Sequence, residues 1–263
     1  ANLNASLQLE LSNLSEKNID QMYKVFERYY GKTTKDVFSS DLLKKDHVII
    51  LIDKKDQSIK GFSTILDYHF KLGGKKVRGV FSGDTIIEKK YWGGSALQKT
   101  FIGYMFKEKL KRPLIPLYWF LISKGYKSYL LMANNFLNHY PRHEFQTPVE
   151  HKSIMDKFAT DMYGQAYDAS CGLIKFEGTH DHLKNNVAPI TDKMKKKNRR
   201  IDFFLSQNPT WENGSELVCL AEFDLTLPIR FPLKTIKKSI DRMNNKMNKS
   251  IKDLLVSMDI RQS

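Results

Sequence analysis

The sequence predicts a mixed α+β domain built on a mostly antiparallel sheet. Three observations carry that prediction. Strand-like and helix-like stretches alternate in an order that starts strand, helix, helix, and then runs through three strands in succession. Short polar turns at residues 54–57 and 72–75 join those three strands, which is the pattern of an antiparallel meander. The last strand of the meander then meets a long helix through a glycine-bearing joint, YWGGSAL, at residues 91–97.

Each element follows from its own pattern. Residues 7–14, LQLELSNL, alternate apolar and polar as a half-buried strand does. Ser15 is a good N-cap, and Ile19, Met22, Tyr23, Phe26 and Tyr30 form a helical stripe that Gly31 stops. Residues 33–45 offer a second short helix with Val37, Leu42 and Leu43. Residues 46–53, 59–70 and 77–87 are the meander, and the last of them is rich in β-branched and aromatic residues. Ser95 is the expected N-cap of the next helix, whose Leu97, Phe101, Tyr104, Met105 and Leu110 recur at helical spacing among lysines. Residues 113–122, PLIPLYWFLI, are short, aromatic and proline-bearing, so they predict a buried strand. A helix over residues 123–136 follows. Further on, residues 137–148 predict a loop, 151–162 a helix and 168–177 a strand. Residues 201–205 and 216–227 predict a closing hairpin. From Leu233 to Met258, apolar residues step by three or four with lysines and arginine on the other faces. The pattern predicts an amphipathic helix that packs on its own domain or a second copy, or rests on a membrane or nucleic acid.

Composition bounds the function. The chain has 263 residues, is 41% hydrophobic, and carries a formal charge of +14, so it can fill a core and suits an acidic partner. A phosphorylated cofactor, an acidic carrier protein, nucleic acid and an anionic membrane all fit that charge. A basic run at Lys193, Lys195, Lys196, Lys197, Arg199 and Arg200 would steer such a partner. Two cysteines, Cys171 and Cys219, demand no disulfide framework and point to a reducing, cytoplasmic compartment. Both fall in strand-like stretches, as buried thiols do. The first residues lack the basic and apolar halves of a signal peptide, and the longest apolar run is too short to span a bilayer. His139 and His143 are separated by Pro141, and His180, Asp181 and His182 lack zinc-motif spacing, so no metal site is expected. No P-loop, Rossmann fingerprint or G-x-S-x-G motif occurs.

The joint itself has chemical meaning. A glycine-bearing strand-to-helix turn directs free N–H groups and a positive helix end toward one spot, which suits a phosphate. Taken with the order of elements over residues 7–136, TIIEKKYWGGSAL resembles the GNAT superfamily of acyl-CoA N-acyltransferases. The family's pyrophosphate loop, R/Q-x-x-G-x-G/A, aligns with Trp92, Gly93, Gly94, Ser95, Ala96 and Leu97. Trp92 stands where arginine or glutamine is usual, Ser95 replaces a glycine, and Leu97 replaces glycine or alanine. The resemblance implies a V-shaped sheet flanked by helices, and acetyl-CoA or acyl-CoA lying along the fourth strand. It also implies donor contacts at the backbone of Ile86 and Ile87 and at Tyr91, Trp92, Gly93, Gly94, Ser95 and Ala96. An acceptor amine would attack the thioester directly. Asp84 and Glu88 are the candidate bases. Tyr129 or Tyr126 is the candidate acid for the leaving thiolate, and Ser123 stands where the family often has asparagine.

The resemblance divides the chain into a GNAT-like domain over 1–229, with an insertion at about 137–200, and the C-terminal amphipathic helix over 230–263. Two classes of function remain. One is an N-acyltransferase, taking its acyl group from CoA or from an acidic acyl carrier protein. Its partners would be a small-molecule or protein amine, the carrier, and a second copy of the chain. The other is a non-catalytic basic binding module on the same scaffold.

Overall fold

Consecutive buried residues, covered on both faces, build the centre of the sheet. In the computed structural model the described residues are 3–8, 11, 14–31, 33–92, 94–176 and 190–226. The chain divides into Ala1–Asp224 and Leu225–Ser263, and the elements below belong to the first unit. Gly93, the segment with His180, Asp181 and His182, and the amphipathic stretch over 230–263 lie outside the described residues.

The strands are β1 Leu3–Gln8, β2 His47–Asp53, β3 Ile59–Leu72, β4 Lys75–Ile87, β5 Leu117–Ser123, β6 His139–Tyr140, β7 Tyr167–Asp168, β8 Leu173–Ile174 and β9 Glu216–Glu222. They lie in one sheet in the order β1-β2-β3-β4-β5-β9-β8-β7, with β6 also paired to β9. Among the described residues β4 and β5 pair in parallel and the remaining pairs are antiparallel. This is the mixed, mostly antiparallel α+β architecture that the sequence predicts, with the meander at β2-β3-β4 and the crossover from β4 to β5 made by a helix. The β3–β4 turn needs positive φ at both Gly73 (55°) and Gly74 (78°), which glycine adopts without a Cβ clash.

Helices cover both faces. They are α1 Glu16–Phe26, α2 Lys35–Leu42, α3 Ala96–Lys111, α4 Tyr126–Asn135, α5 Val149–Tyr163, α6 Asp192–Lys197 and α7 Arg199–Gln207. Met22, Val25 and Phe26 of α1, with Phe38 and Leu42 of α2, pack on Val48, Ile50, Phe62 and Ile86. Ile154, Met155 and Phe158 of α5 pack on Phe81, Tyr118, Phe120 and Leu220. Trp119, one step out of phase with Tyr118 and Phe120, turns instead to Phe101 of α3 (ring centroids 5.1 Å apart) and to Phe136 (5.0 Å).

Arg78 anchors α3 on β4. Its guanidinium is 5% exposed and donates to the carbonyls of Glu108 (2.8 Å) and Arg112 (3.4 Å) at the C-terminal end of the helix. Carbonyls at this end of a helix are short of intrahelical donors and carry the negative end of its dipole, so a cation there answers both needs. Lys109 does the same for the next turn, donating to Ile115 (2.8 Å).

Four expectations need correction. The first strand is Leu3–Gln8, earlier than residues 7–14; Leu11 and Leu14 instead fill the core under α1. Residues 168–177 do not form one strand, because Asp168 accepts from Ser170 and Gly172 takes φ 70°, folding the stretch into the short pair β7–β8. That turn leaves Cys171 exposed, whereas Cys219 is buried in β9. Residues 201–205 are helical, within α7, so the expected closing hairpin is absent. Asn198 caps that helix by accepting from Arg200, and Ile201 and Phe204, three apart, share its buried side.

Phe158 is fully buried and stacks on Phe120 with centroids 4.1 Å apart. Phe158→Ala is expected to cost about 3–5 kcal/mol of stability, measured by denaturant unfolding. His139 is also buried, with Nδ1 3.0 Å from the Phe136 carbonyl oxygen, and burial lowers its pKa from 6.5 to about 4. A folded pKa below the unfolded one means that the unfolded chain binds more protons between those values, so stability falls as pH drops through them. His139→Gln should flatten the stability curve in that window; an unchanged slope would exclude His139 as its source.

Candidate active site

The candidate site begins where β4 and β5 part. They pair from Arg78–Leu117 to Ser82–Leu121. Beyond that rung β4 continues to Ile87 with β3 as its partner, while Ile122 and Ser123 of β5 pair with β9. Trp119 Nε1 donates to Ser82 Oγ (2.8 Å) at the end of the paired part. Past it, no strand among the described residues lies beside β4 over residues 83–87 on the β5 side.

A bulge lies at the same place. Ile65 pairs with Ser82 and Ser63 with Thr85, so Thr64 alone faces Gly83 and Asp84. The extra residue bends the strand and re-aims the side chains after it. A Cβ at position 83 would stand 2.5 Å from Thr64 Oγ1, so a larger residue there would have to turn that side chain. Asp84 therefore sits at the start of the opening, half-buried.

Three further side chains meet beyond the last β4–β5 rung, and one of them feels the charge of Asp84. Lys124, just after β5, places Nζ 3.4 Å from Glu216 Oε1 at the start of β9, and 4.8 Å from the ring centroid of Tyr30. Glu216 is 5% exposed. Tyr163, the last residue of α5, has its phenol pushed well above the ordinary range by burial and by the charges of Glu216 and Asp84, with Lys124 opposing. The opening thus holds an amine, two carboxylates and a phenol from four elements. In the sequence Asp84 alone stood out. Glu216 and Lys124 carried one weak signal, a charge bordering an apolar strand.

The far end of the β4 edge leads to the joint. Tyr91 hydroxyl donates to Asp53 Oδ2 (2.7 Å), which pins the turn to β2 and pushes the Tyr91 phenol up to about 12. Trp92 Nε1 donates to the Ile87 carbonyl (2.7 Å), so one backbone acceptor on the open edge is taken by the indole. Lys127, in the first turn of α4, holds Nζ 3.6 Å from the Trp92 ring centroid. Burial, and then the charge of Lys89, lower the Lys127 pKa. Ile86 is buried and pairs with Phe62; Ile87 pairs with Gly61. Gly94 N donates to the Tyr91 carbonyl (3.3 Å).

Ser95 holds the N-cap position of α3 but its side chain caps nothing, contrary to expectation. Its φ and ψ, −114° and 4°, differ from the extended backbone at Ser15 and Thr34, whose side chains each accept from an N–H three residues on. No acidic residue lies in the first turn of α3 either, so the helix's own first turn does not offset its positive end.

The remaining candidates point elsewhere. Glu88 Oε1 is ion-paired with Arg28 Nη1 at 2.5 Å. Tyr129 is buried and donates to the Pro141 carbonyl (3.1 Å). Ser123 Oγ is buried against Ser128 Oγ (2.8 Å) and the Gly125 carbonyl (2.9 Å). Tyr126, one turn before Tyr129, has its phenol raised by burial. Of the basic run, Lys193, Lys196, Lys197 and Arg199 are exposed, whereas Lys195 pairs with Asp192 (2.8 Å) and Arg200 donates to Asn134 (2.6 Å). Among the described residues no helix is long and apolar enough to cross a membrane.

No family model matches the sequence, and no curated protein matches it. Solved structures do. The toxin AtaT, bound to the C-terminus of the antitoxin AtaR and acetyl-CoA, is 12% identical over 52% of this chain and 86% of its own, with a TM-score of 0.37. A GCN5-related N-acetyltransferase from Kribbella flavida is 11% identical over 63% of this chain and 45% of its own, with a TM-score of 0.37. The NatC complex bound to Gag peptide and CoA is 10% identical over 53% of this chain and 87% of its own, with a TM-score of 0.39. At these values the likeness carries nothing about this chain's activity, substrate or partner.

Trp92→Phe removes the indole donor while keeping an aromatic face for Lys127. It is expected to lower stability by about 0.5–1.5 kcal/mol, the net worth of one hydrogen bond. A loss well above that range in denaturant unfolding would mean that Trp92 supports more than the Ile87 carbonyl.

Proposed function

We propose that this chain is an acyltransferase, moving an acyl group from a CoA thioester to an amine by direct transfer. The observation that carries the reading is the parting of β4 and β5 after Ser82 and Leu121, with an uncapped helix start at the end of the open edge. An extended donor arm can lie in such an opening and satisfy the backbone of residues 83–87, as a strand would. Its phosphates would meet the first turn of α3 at Ser95 and Ala96, and Lys127 and Lys89 at the rim.

The chain's own groups then have separable roles. Asp84, directly or through water, accepts the proton that the attacking amine must lose. Glu216 favours a cationic acceptor in the opening. Tyr126 is the better proton donor to the leaving thiolate, because the Tyr129 hydroxyl is committed to Pro141. Glu88, held by Arg28, is the weaker candidate base. The N–C bond forms as the C–S bond breaks, so no acyl-enzyme is needed and neither cysteine takes part. On this reading 1–229 is the catalytic domain and about 137–200 is an insertion on the acceptor side. The lysines at the rim, and the exposed part of the run at 193–199, suit an acidic acyl carrier as the alternative donor.

A second reading has one observation in its favour. Trp92 occupies the Ile87 carbonyl where a donor arm would bond, as a basic binding module without catalysis would allow.

Ala96→Asp separates these readings. A carboxylate at the helix start favours the helix by about 0.3–1 kcal/mol but repels phosphate. Acetyl-CoA affinity should fall at least about tenfold, roughly 1.4 kcal/mol, by calorimetry while the fold is kept. Unchanged affinity in the folded variant would displace the site, and no affinity in the wild type would leave the binding module. For the chemistry, thiol release from acetyl-CoA should be followed with a panel of amines. Asp84→Asn should keep donor binding and slow release on the order of a hundredfold, with the loss shrinking at high pH, where the free amine forms unaided. Cys171→Ala and Cys219→Ala should leave the rate intact; an acyl adduct on either thiol, chased by amine, would replace direct transfer with a two-step route.

A further inference from the structure

One amine already stands inside the opening. Lys124 follows β5 directly, three residues past the last β4–β5 rung at Leu121. Its side chain is 23% exposed, far less than that of a typical surface lysine, and its Nζ faces inward. The groups around it come from three other parts of the chain. Glu216 of β9 lies 3.4 Å away, the Tyr30 ring after α1 lies under it at 4.8 Å, and Tyr163 of α5 feels the charges of Lys124, Asp84 and Glu216 together. This is the side of the opening from which an acceptor amine would reach a thioester lying along residues 83–87.

We propose that Lys124 is itself an acyl acceptor, modified on Nζ by the thioester that its own opening binds. The inference rests on the donor reading above and adds a named acceptor to it. Lys124 gives its ammonium proton to Glu216, and the freed lone pair attacks the thioester carbonyl carbon. An N–C bond forms, the C–S bond breaks, and the nitrogen's second proton passes to the departing thiolate, through Tyr126 or water, while Glu216 gives its proton to solvent. The products are an amide on Lys124 and the free thiol, with one proton released overall. No redox partner or further reactant enters. The reason to expect selectivity is proximity: a held amine beside a held thioester reacts as one molecule, whereas exposed lysines must meet the thioester in solution. The amide removes the charge that faces Glu216, so acylation also changes the electrostatics of the opening.

The test uses the full chain incubated with isotope-labelled acetyl-CoA, read by intact mass and by peptide mapping. Acetyl phosphate serves as a donor that does not need the opening. With acetyl-CoA, Lys124 should carry the label with an occupancy at least about tenfold above that of the exposed Lys193 and Lys196. With acetyl phosphate that preference should vanish. Lys124→Arg keeps the cation beside Glu216 and should lose the selective adduct, and Glu216→Gln should slow its formation in a chain that still binds acetyl-CoA. Native mass spectrometry of the same sample reports donor binding. If acetyl-CoA is bound and Lys124 stays unlabelled, or is labelled no faster than Lys193, the inference fails and the donor reading stands. If no acetyl-CoA is bound and no label appears, both fail.

Discussion

The constraint on which the rest of the molecule depends is the short length of the β4–β5 pair. Five rungs, Arg78–Leu117 to Ser82–Leu121, join the two halves of the sheet, and then the strands separate. Each strand keeps a different partner beyond that point: β3 for β4, and β9 for β5. A parallel pair also needs a long crossover, and here it is α3. The same stretch of chain therefore makes the opening and places a helix start at its far end.

The paired end is held more firmly than the open end. Arg78 and Lys109 are both buried and both donate to carbonyls at or just beyond the C-terminus of α3. Trp119 bridges to Ser82 at the last rung. Past it, the groups are polar and partly exposed: Asp84 at the bulge, Lys124 after β5, and Trp92 with Lys127 over the rim. A buried cation left without its acceptors would be costly, so the helix cannot shift at that end without losing stability. Freedom to admit a ligand is concentrated where the strands have already parted.

The sequence by itself determined the class, the meander, the crossover and the glycine-bearing joint. Local rules decide those features: apolar and β-branched runs between polar turns, helical spacing, and glycine where φ must be positive. Local rules also misled at the first strand, which starts at Leu3, at Cys171, which is exposed, and in three further places. Residues 201–205 have strand-like composition but pack as a helix, because Asn198 supplies a cap and Phe203 and Phe204 meet Tyr129 of α4. Residues 168–177 fold back at Gly172. Ser95 has the right identity for a cap but not the backbone for one.

Tertiary structure alone decided which candidate residues meet. Tyr129 and Tyr126 are indistinguishable by spacing, yet the hydroxyl of Tyr129 is drawn to Pro141, twelve residues on. Glu88 and Asp84 are both carboxylates at the end of one strand, but Arg28 of a distant turn claims Glu88. Glu216 and Lys124 are ninety-two positions apart and come together because β9 lies beside β5. Such choices rest on which charges approach within a few ångströms inside a poorly solvated opening, where Coulombic and hydrogen-bond energies are strong and fall steeply with distance. Sequence spacing carries the period of an element but not the distance between elements, and the chemistry of this opening depends on that distance.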